Sequence, residues 1–242
     1  LGQTVGRAER SDSFRYFYFF IKGMIQIELS SEIKTACPEL KVLAIACQVK
    51  NSPSDAALWQ EIAAEEAAVK ATCRIEEINK WAPIKATRTA YKRLGKDPNR
   101  YRPSAEALRR RILRDLPLYR IDTLVDLINL VSIRSGYSIG GFDADKIEGD
   151  LTLGVGREGE LYQGIGRGVL NIAGLPVYRD RVGGIGTPTS DEERTKISME
   201  TTSLLMIING YSGSEGLSEA GEYAIDLLRR YASAENVRVW EI

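Results

Sequence analysis

The 242-residue chain contains no histidine. Imidazole is the commonest general base in enzymes and a frequent metal ligand. Its absence therefore excludes Ser-His-Asp triads, Cys-His dyads, Cys₂His₂ zinc sites and H-E-x-x-H metalloproteases. The sequence also lacks C-x-x-C motifs and Walker motifs, so we expect no metal and no cofactor.

Cysteine is scarce, and the three cysteines, Cys37, Cys47 and Cys73, have spacings that fit no zinc motif. We expect them to be buried, reduced thiols in a cytoplasmic protein. Long apolar runs are missing as well. The aromatic stretch at residues 14–20 is shorter than the roughly 20 residues that a membrane span needs, so no membrane partner is expected.

The composition is that of a folded chain, because 43% hydrophobic and 27% charged residues match globular averages. Met24 opens an alternating pattern that differs from the aromatic stretch before it. We therefore predict that residues 1–23 are a non-native or upstream leader and that residues 24–242 form the domain. The alternative is that the aromatic segment packs on the domain as an arm.

Hydrophobic periodicity and helix-capping residues predict mixed blocks of helices and strands, which favours an α+β fold. Fourteen of the 22 glycines lie between Gly136 and Gly186, a region of short strands and turns. The G-x-G-x-x-G match that starts at Gly154 is not followed by a helical pattern, so it does not indicate a dinucleotide site. The predicted strands are 25–29, 40–49, 196–200, 204–209 and 237–242, and the predicted helices are a short turn before Pro38 and 54–79, 83–94, 103–114, 122–135 and 215–231.

Basic residues are concentrated between Lys80 and Arg120, where 13 Lys or Arg stand against three acidic residues. Aromatic residues are interleaved with them. This pattern is typical of phosphate contact combined with base stacking. The alternative is a solvated basic face that pairs with the acidic helix at 54–79. Helical spacing predicts that Lys85, Arg88, Lys92 and Lys96 form one basic face.

The helix at 122–135 is apolar around most of its circumference and carries one polar stripe. Asp122, Asp126, Asn129 and Ser132 follow one another at helical spacing. Buried polar groups need hydrogen-bond partners. The stripe therefore either faces solvent, forms a structural network with neighbouring loops, or lines a pocket.

The loop Gly183–Asp191 contains three glycines followed by hydroxyl residues. Glycines allow backbone amides to approach a ligand closely, and Thr187 adds a hydroxyl group. The alternative is a plain turn.

Several of these motifs, in this order, resemble the free-standing relatives of the B3/B4 domain, the tRNA-binding and editing module of the phenylalanyl-tRNA synthetase beta subunit. The resemblance covers most of residues 25–242. It is carried by residues 91–110, 125–132, 136–143 and 183–191, together with Arg194, Thr195 and Glu200.

The resemblance implies a single α+β domain with mixed β-sheets and packed helices. It implies that the glycine loop approaches an aminoacyl group and that Glu200 reads a tyrosine hydroxyl. Gly140 stands where the synthetase module has a histidine, so any ester hydrolysis proceeds without an imidazole. The implied pocket comprises Asp126, Asn129, Ser132, Gly140, Gly183, Gly184, Gly186, Thr187 and Glu200.

The same resemblance makes the basic segment an RNA-facing surface, with tRNA or another structured RNA as the partner. The implied RNA-binding residues are Lys92, Arg93, Tyr101, Arg102, Arg109, Arg110 and Arg111. Three functions follow: a stand-alone aminoacyl-tRNA deacylase, a non-catalytic RNA-binding module, or a protein that binds an amino-acid-like molecule. The absence of the ATP site of a synthetase excludes a ligase.

Overall fold

The structure is a computed structural model that describes residues 25–242, so the predicted leader lies outside the described residues. The helices are α1 (Ser31–Ala36), α2 (Ala56–Thr72), α3 (Ala82–Arg93), α4 (Ser104–Ile112), α5 (Thr123–Ser135) and α6 (Leu217–Ala232). The strands are β1 (Ile27–Leu29), β2 (Lys41–Gln48), β3 (Ile139–Asp143), β4 (Leu151–Val155), β5 (Gln163–Gly164), β6 (Gly168–Val169), β7 (Pro176–Arg179), β8 (Gly184–Gly186), β9 (Ser203–Gly210) and β10 (Glu235–Glu241). This is the α+β architecture that the mixed blocks predicted.

Two four-stranded sheets organise the fold. The first sheet has the order β10-β2-β9-β3 and is antiparallel throughout. The second sheet has the order β1-β4-β7-β8, in which β1 and β4 run parallel and the remaining pairs run antiparallel. A short β5–β6 hairpin completes the sheets of the described residues.

The first sheet is the middle layer, as the alternation along β2 shows. Leu43 and Ile45 pack in the core formed with α2, α5 and α6. Val42 and Ala44 point the other way, into the core shared with the second sheet. Because both faces are covered, β2 reads in the sequence as one continuous apolar run.

Local sequence signals set several helix ends. Asp55 and Asp122 cap α2 and α5, since each carboxylate accepts a hydrogen bond from a first-turn amide. Gly136 ends α5 at φ +79°, and a Cβ there would lie 2.6 Å from the Trp81 ring. Glycine is therefore required at this position both by backbone conformation and by packing.

Two predicted elements were wrong. The helix predicted over 54–79 ends at Thr72, because Cys73 is extended. A short 3₁₀ helix, Ile78–Lys80, follows. Residues 196–200 are not a strand. Ser198 and Thr201 close a turn there, with the Ser198 amide 2.9 Å from the Thr201 hydroxyl, and this turn precedes β9.

The cysteines are unpaired. Cys37 and Cys47 are buried, as expected, and desolvation raises the pKa of their thiols to about 11 and about 12. Cys73 is partly exposed, which differs from the expectation, and its sulfur accepts a hydrogen bond from Arg109 at 3.2 Å. Thiols with raised pKa values hold little thiolate at neutral pH, so Cys37 and Cys47 serve as small core residues.

Candidate functional site

The polar stripe of α5 divides between structure and surface. Asp126 is buried, and its carboxylate accepts hydrogen bonds from Trp59 Nε1 at 2.6 Å and from the Ile121 amide at 3.1 Å. Ser132 is also buried and donates to the Tyr137 carbonyl oxygen at 2.7 Å. Asp122 caps the helix. These three side chains form the structural network that was one of the three alternatives.

Asn129 differs from the other members of the stripe. It is partly exposed, and none of the hydrogen bonds found among the described residues involves its side chain. Of the stripe, Asn129 therefore has an amide that remains available to a ligand.

Several polar groups of the glycine loop are used in hydrogen bonds to nearby residues of the same chain segment. Asp180 has a fully buried carboxylate, which accepts hydrogen bonds from the amides of Val182 and Gly183 and pairs with Arg194. The Thr187 hydroxyl donates to the Ser190 carbonyl oxygen at 2.9 Å. The amide of Gly183 and the hydroxyl of Thr187 thus support the turn. This arrangement favours the plain-turn alternative for Gly183 and Thr187.

Gly140 in β3 and Gly186 in β8 both pack closely against the buried Phe142 ring. A Cβ at Gly140 would lie 2.7 Å from the Phe142 ring, and one at Gly186 would lie 2.5 Å from the same ring. Both glycines are buried beside Asp191, which pairs with Gly186 in an isolated bridge. The two strands that the sequence separates by some forty residues thus meet at Asp191.

Asp191 is the residue that the sequence reasoning did not single out. Its Oδ2 accepts a hydrogen bond from the Gly141 amide at 3.2 Å. Desolvation raises the pKa of its carboxyl group to about 7, and the Gly141 amide opposes that increase. The position of Asp191 at the end of the glycine loop was the available signal, but its contact with Gly140 and Gly141 depends on tertiary structure.

Glu200 makes no contact with Gly140, Gly186 or Asp191 among the hydrogen bonds of the described residues. The residue is exposed, and the hydrogen bond found for it runs from its own amide to the Ser198 hydroxyl at 3.3 Å. Gly184 serves packing, since a Cβ there would lie 2.9 Å from the Tyr162 ring. The contacts of the described residues therefore bring Gly140, Gly186 and Asp191 together and do not bring Glu200 to them.

Part of the basic segment holds the fold. Arg88 is buried and forms an ion pair with the fully buried Glu106 at 2.7 Å, and Arg110 pairs with the same carboxylate at 2.7 Å. Lys96 is also buried and donates to the carbonyl oxygens of Asn171 and Ala173. The expectation that these two residues form one basic face with Lys85 and Lys92 was therefore wrong, because Arg88 and Lys96 are buried and hydrogen-bonded to acceptors inside the fold.

Arg109 and Arg111 are also engaged within the protein. Arg109 is buried, donates to the Ile133 carbonyl oxygen at 2.8 Å and lies 3.7 Å above the Trp81 ring. Arg111 donates to the Pro117 carbonyl oxygen and lies 4.1 Å above the Tyr119 ring. Two of the interleaved aromatic rings thus already have an arginine of the same chain on one face.

The remaining cationic side chains reach solvent. Tyr101 lies among them, partly exposed, with Lys96 Nζ 3.7 Å from its ring centroid. Arg93 contacts the Ala36 carbonyl oxygen and Glu39 while remaining exposed. The exposed basic residues of the segment are Lys80, Lys85, Lys92, Arg93, Arg100, Arg102, Arg114 and Arg120.

Two negative findings apply to residues 25–242. They contain no cluster of three or more metal-ligating side chains. They also contain no helix that is both long and apolar enough to cross a membrane.

Comparison with known proteins gives a family. The B3/4 domain model matches residues 86–233, more than half of the chain. This stretch contains α4, α5, Gly140, Gly186, Asp191 and most of the exposed basic residues of the segment.

Individual relatives match over shorter stretches. The phenylalanine–tRNA ligase beta subunit of Bartonella henselae is 42% identical over 60 residues, which are 25% of this chain and 8% of that subunit. The same subunit of Bartonella quintana is 42% identical over 53 residues, 22% of this chain and 7% of the subunit. The matched stretches thus span less than a tenth of these curated relatives.

A solved structure resembles the chain more loosely. An N-terminal fragment of the phenylalanyl-tRNA synthetase beta subunit from Pyrococcus horikoshii aligns with 90% of this chain and 53% of the fragment. The sequence identity is 13% and the TM-score is 0.46.

Proposed function

Because this chain belongs to the B3/4 domain family, we propose that it binds tRNA and hydrolyses an aminoacyl ester at the tRNA 3′ end. One observation carries the proposal: Gly140, Gly186 and the Asp191 carboxylate, which are remote in the sequence, meet within the stretch that the family model matches. A nearby carboxylate can accept a proton from the water molecule that attacks an ester. Acting on charged tRNA would place the protein in the cytoplasm.

The exposed basic residues support the RNA component. Lys85 and Lys92 extend from α3, and Arg100 and Arg102 follow in the connection to α4. Cations spread over neighbouring elements suit a phosphate backbone, since each contact neutralises one phosphate. Tyr101, partly exposed among them, supplies an aromatic face for a base.

A non-catalytic RNA-binding module is the second candidate, favoured by the exposure of Glu200. No contact of that carboxylate with Gly140, Gly186 or Asp191 is found among the described residues. Such a module would use the basic surface and carry out no chemistry at Asp191.

The test combines two measurements on the same protein. We expect mischarged tRNAs incubated with the protein to lose their amino acid faster than in a protein-free control, and a salt titration to show phosphate-dependent binding. Binding without ester loss would overturn the hydrolase and support the second candidate. If the protein shows neither RNA binding nor ester hydrolysis, both candidate functions are overturned and a small amino-acid-like ligand is favoured.

A further inference from the structure

A cleft lies where the C-terminal end of α5 meets the N-terminal end of α6. Its volume is about 420 Å³, within the range of roughly 300–1,000 Å³ that small-molecule sites occupy. Gly140, Gly186 and Asp191 do not line it, so the cleft is separate from the residues assigned to ester hydrolysis. Its aromatic and charged lining side chains are Trp81, Arg134, Tyr137, Glu215, Glu219 and Tyr223.

The aromatic part of the lining is fixed in place. The guanidinium carbon of Arg109 lies 3.7 Å from the centroid of the Trp81 ring. Gly136 lets the same ring approach the end of α5, since a Cβ there would lie 2.6 Å from it. Tyr137 is buried and donates its hydroxyl to the Glu215 carbonyl oxygen at 2.6 Å. These rings therefore offer the apolar part of a ligand a surface that needs no rearrangement.

Arg134 contributes a positive charge that has no ion-pair partner within residues 25–242. Its side chain is exposed, and its guanidinium carbon lies 4.4 Å from the centroid of the Tyr223 ring, which orients the planar group. The nearby acids of α2 do not pair with it: Glu61 pairs with Arg230, and Glu65 forms no ion pair in the described part of the chain. A guanidinium in this state can bind a carboxylate with two parallel hydrogen bonds.

Glu215 and Glu219 bring negative charge to the same cleft. Both are exposed, and neither carboxylate has a hydrogen bond or an ion pair among the described residues. Burial raises the pKa of the Tyr137 hydroxyl, and the charges of Glu219 and Glu215 add to the increase, which places both carboxylates near that ring. Arg134 pairs with neither of them although all three line one cavity. A ligand in the cleft therefore meets unpaired groups of both signs.

We propose that this cleft binds a free α-amino acid with an apolar side chain. The Arg134 guanidinium donates to the carboxylate of the ligand. The ammonium group of the ligand donates to Glu215 and Glu219. The apolar side chain of the ligand contacts the Trp81 and Tyr137 rings.

The charges of the cleft select a zwitterion. A ligand with negative charge alone would meet two carboxylates, and a ligand with positive charge alone would meet Arg134. A molecule with one carboxylate and one ammonium group gives each of its charges an opposite partner. An amino acid esterified to tRNA has no free carboxylate, so the cleft does not suit the substrate of the proposed hydrolysis. The inference therefore does not rest on the proposed function.

The first test varies the ligand and uses the wild-type protein. Isothermal titration calorimetry measures the affinity for L-phenylalanine, L-leucine and L-tryptophan, and then for the amide and the N-acetyl form of the tightest binder. We expect a Kd below about 1 mM for at least one free amino acid. We expect about 10–100-fold weaker binding of each blocked form, because each has lost one charged group. Absence of saturable binding by all three amino acids overturns the proposal, as does equal affinity for a blocked and a free form.

The second test locates the site. Arg134→Met is compared with Arg229→Met, which removes an exposed arginine of α6 outside the cleft. The pair Glu215→Gln and Glu219→Gln is compared with Glu222→Gln, which changes an exposed acid of α6 that does not line the cleft. We expect the changes inside the cleft to weaken binding about 10–100-fold and the controls to change it by less than about 2-fold.

The two tests can each overturn the proposal separately. Wild-type affinity in Arg134→Met or in the double glutamine variant overturns the placement of the ligand, as does equal weakening by the matched controls. Should a variant fail to fold, the blocked ligands still decide, because they need only the wild-type protein. Failure of amino-acid binding leaves tRNA binding and ester hydrolysis to be judged by their own measurements.

Discussion

At the scale of single residues, the ionisation of Asp191 is coupled to stability. Its folded pKa of about 7 exceeds the value of about 3.9 for an unfolded chain. Stability from the protonated form is therefore fully present below about pH 4 and is lost as the pH rises towards 7. The free energy of unfolding falls by at most about 1.4 kcal/mol for each pH step of one across this range.

We therefore expect Asp191→Asn to gain stability relative to the wild type as the pH rises from about 4 to about 7, with little further change above. Urea unfolding at several pH values measures the difference in unfolding free energy. Glu192→Gln, at the adjacent position, serves as the control. A difference for Asp191→Asn that does not vary with pH would contradict the raised pKa.

A second residue-scale prediction concerns the buried pair of Arg88 and Glu106. Arg88→Met leaves the Glu106 carboxylate, fully buried, with Arg110 as its remaining ion-pair partner. Loss of one member of a buried pair costs about 3–5 kcal/mol. Lys85→Met removes an exposed charge from the same helix and should change the unfolding free energy by less than about 0.5 kcal/mol. Equal effects of the two substitutions in urea unfolding would show that Arg88 is not buried.

At the scale of elements, α5 is fixed to its surroundings by its polar stripe. Asp126→Ala leaves Trp59 Nε1 and the Ile121 amide without their acceptor. An unpaired donor costs about 1–3 kcal/mol when it is buried, and these two donors are only partly buried. We therefore expect a loss of about 2 kcal/mol in total and a change in tryptophan fluorescence. Asn129→Ala, on the same face, should leave stability within about 0.5 kcal/mol. A large loss of stability for Asn129→Ala would instead place that side chain in the structural network.

At the scale of the whole molecule, the net charge is zero, yet the basic residues of the segment between Lys80 and Arg120 divide into a buried group and an exposed group. We expect the pair Lys92→Glu and Arg102→Glu to weaken tRNA binding and to reduce the slope of log K against log salt by about 0.7–0.9 for each lost phosphate contact. Lys50→Glu with Arg238→Glu makes the same charge change on exposed positions outside the basic segment. Equal weakening by both pairs would show a net-charge effect and no defined surface.

The local pattern determined most elements of this protein. Asp55, Asp122 and Gly136 each supply a helix boundary through their own side chain or backbone freedom, so a single sequence suffices to place them. The apolar run of β2 likewise specifies a doubly covered strand. The end of α2 and the turn at 198–201 were missed, because Cys73 contacts Arg109 and Thr201 contacts Asp143, and both partners are remote in the chain.

Tertiary structure alone decided which polar residues are available for function. Charge counting treats Arg88 and Lys92 alike, yet Arg88 meets Glu106 in the interior while Lys92 remains in solvent. The sequence by itself determined that no site uses an imidazole, because the chain contains no histidine. Only the meeting of β3 with β8 brought Asp191 beside Gly140 and Gly186. The physical reason is that desolvation and pairing depend on distances between residues remote in the chain, which local periodicity does not encode.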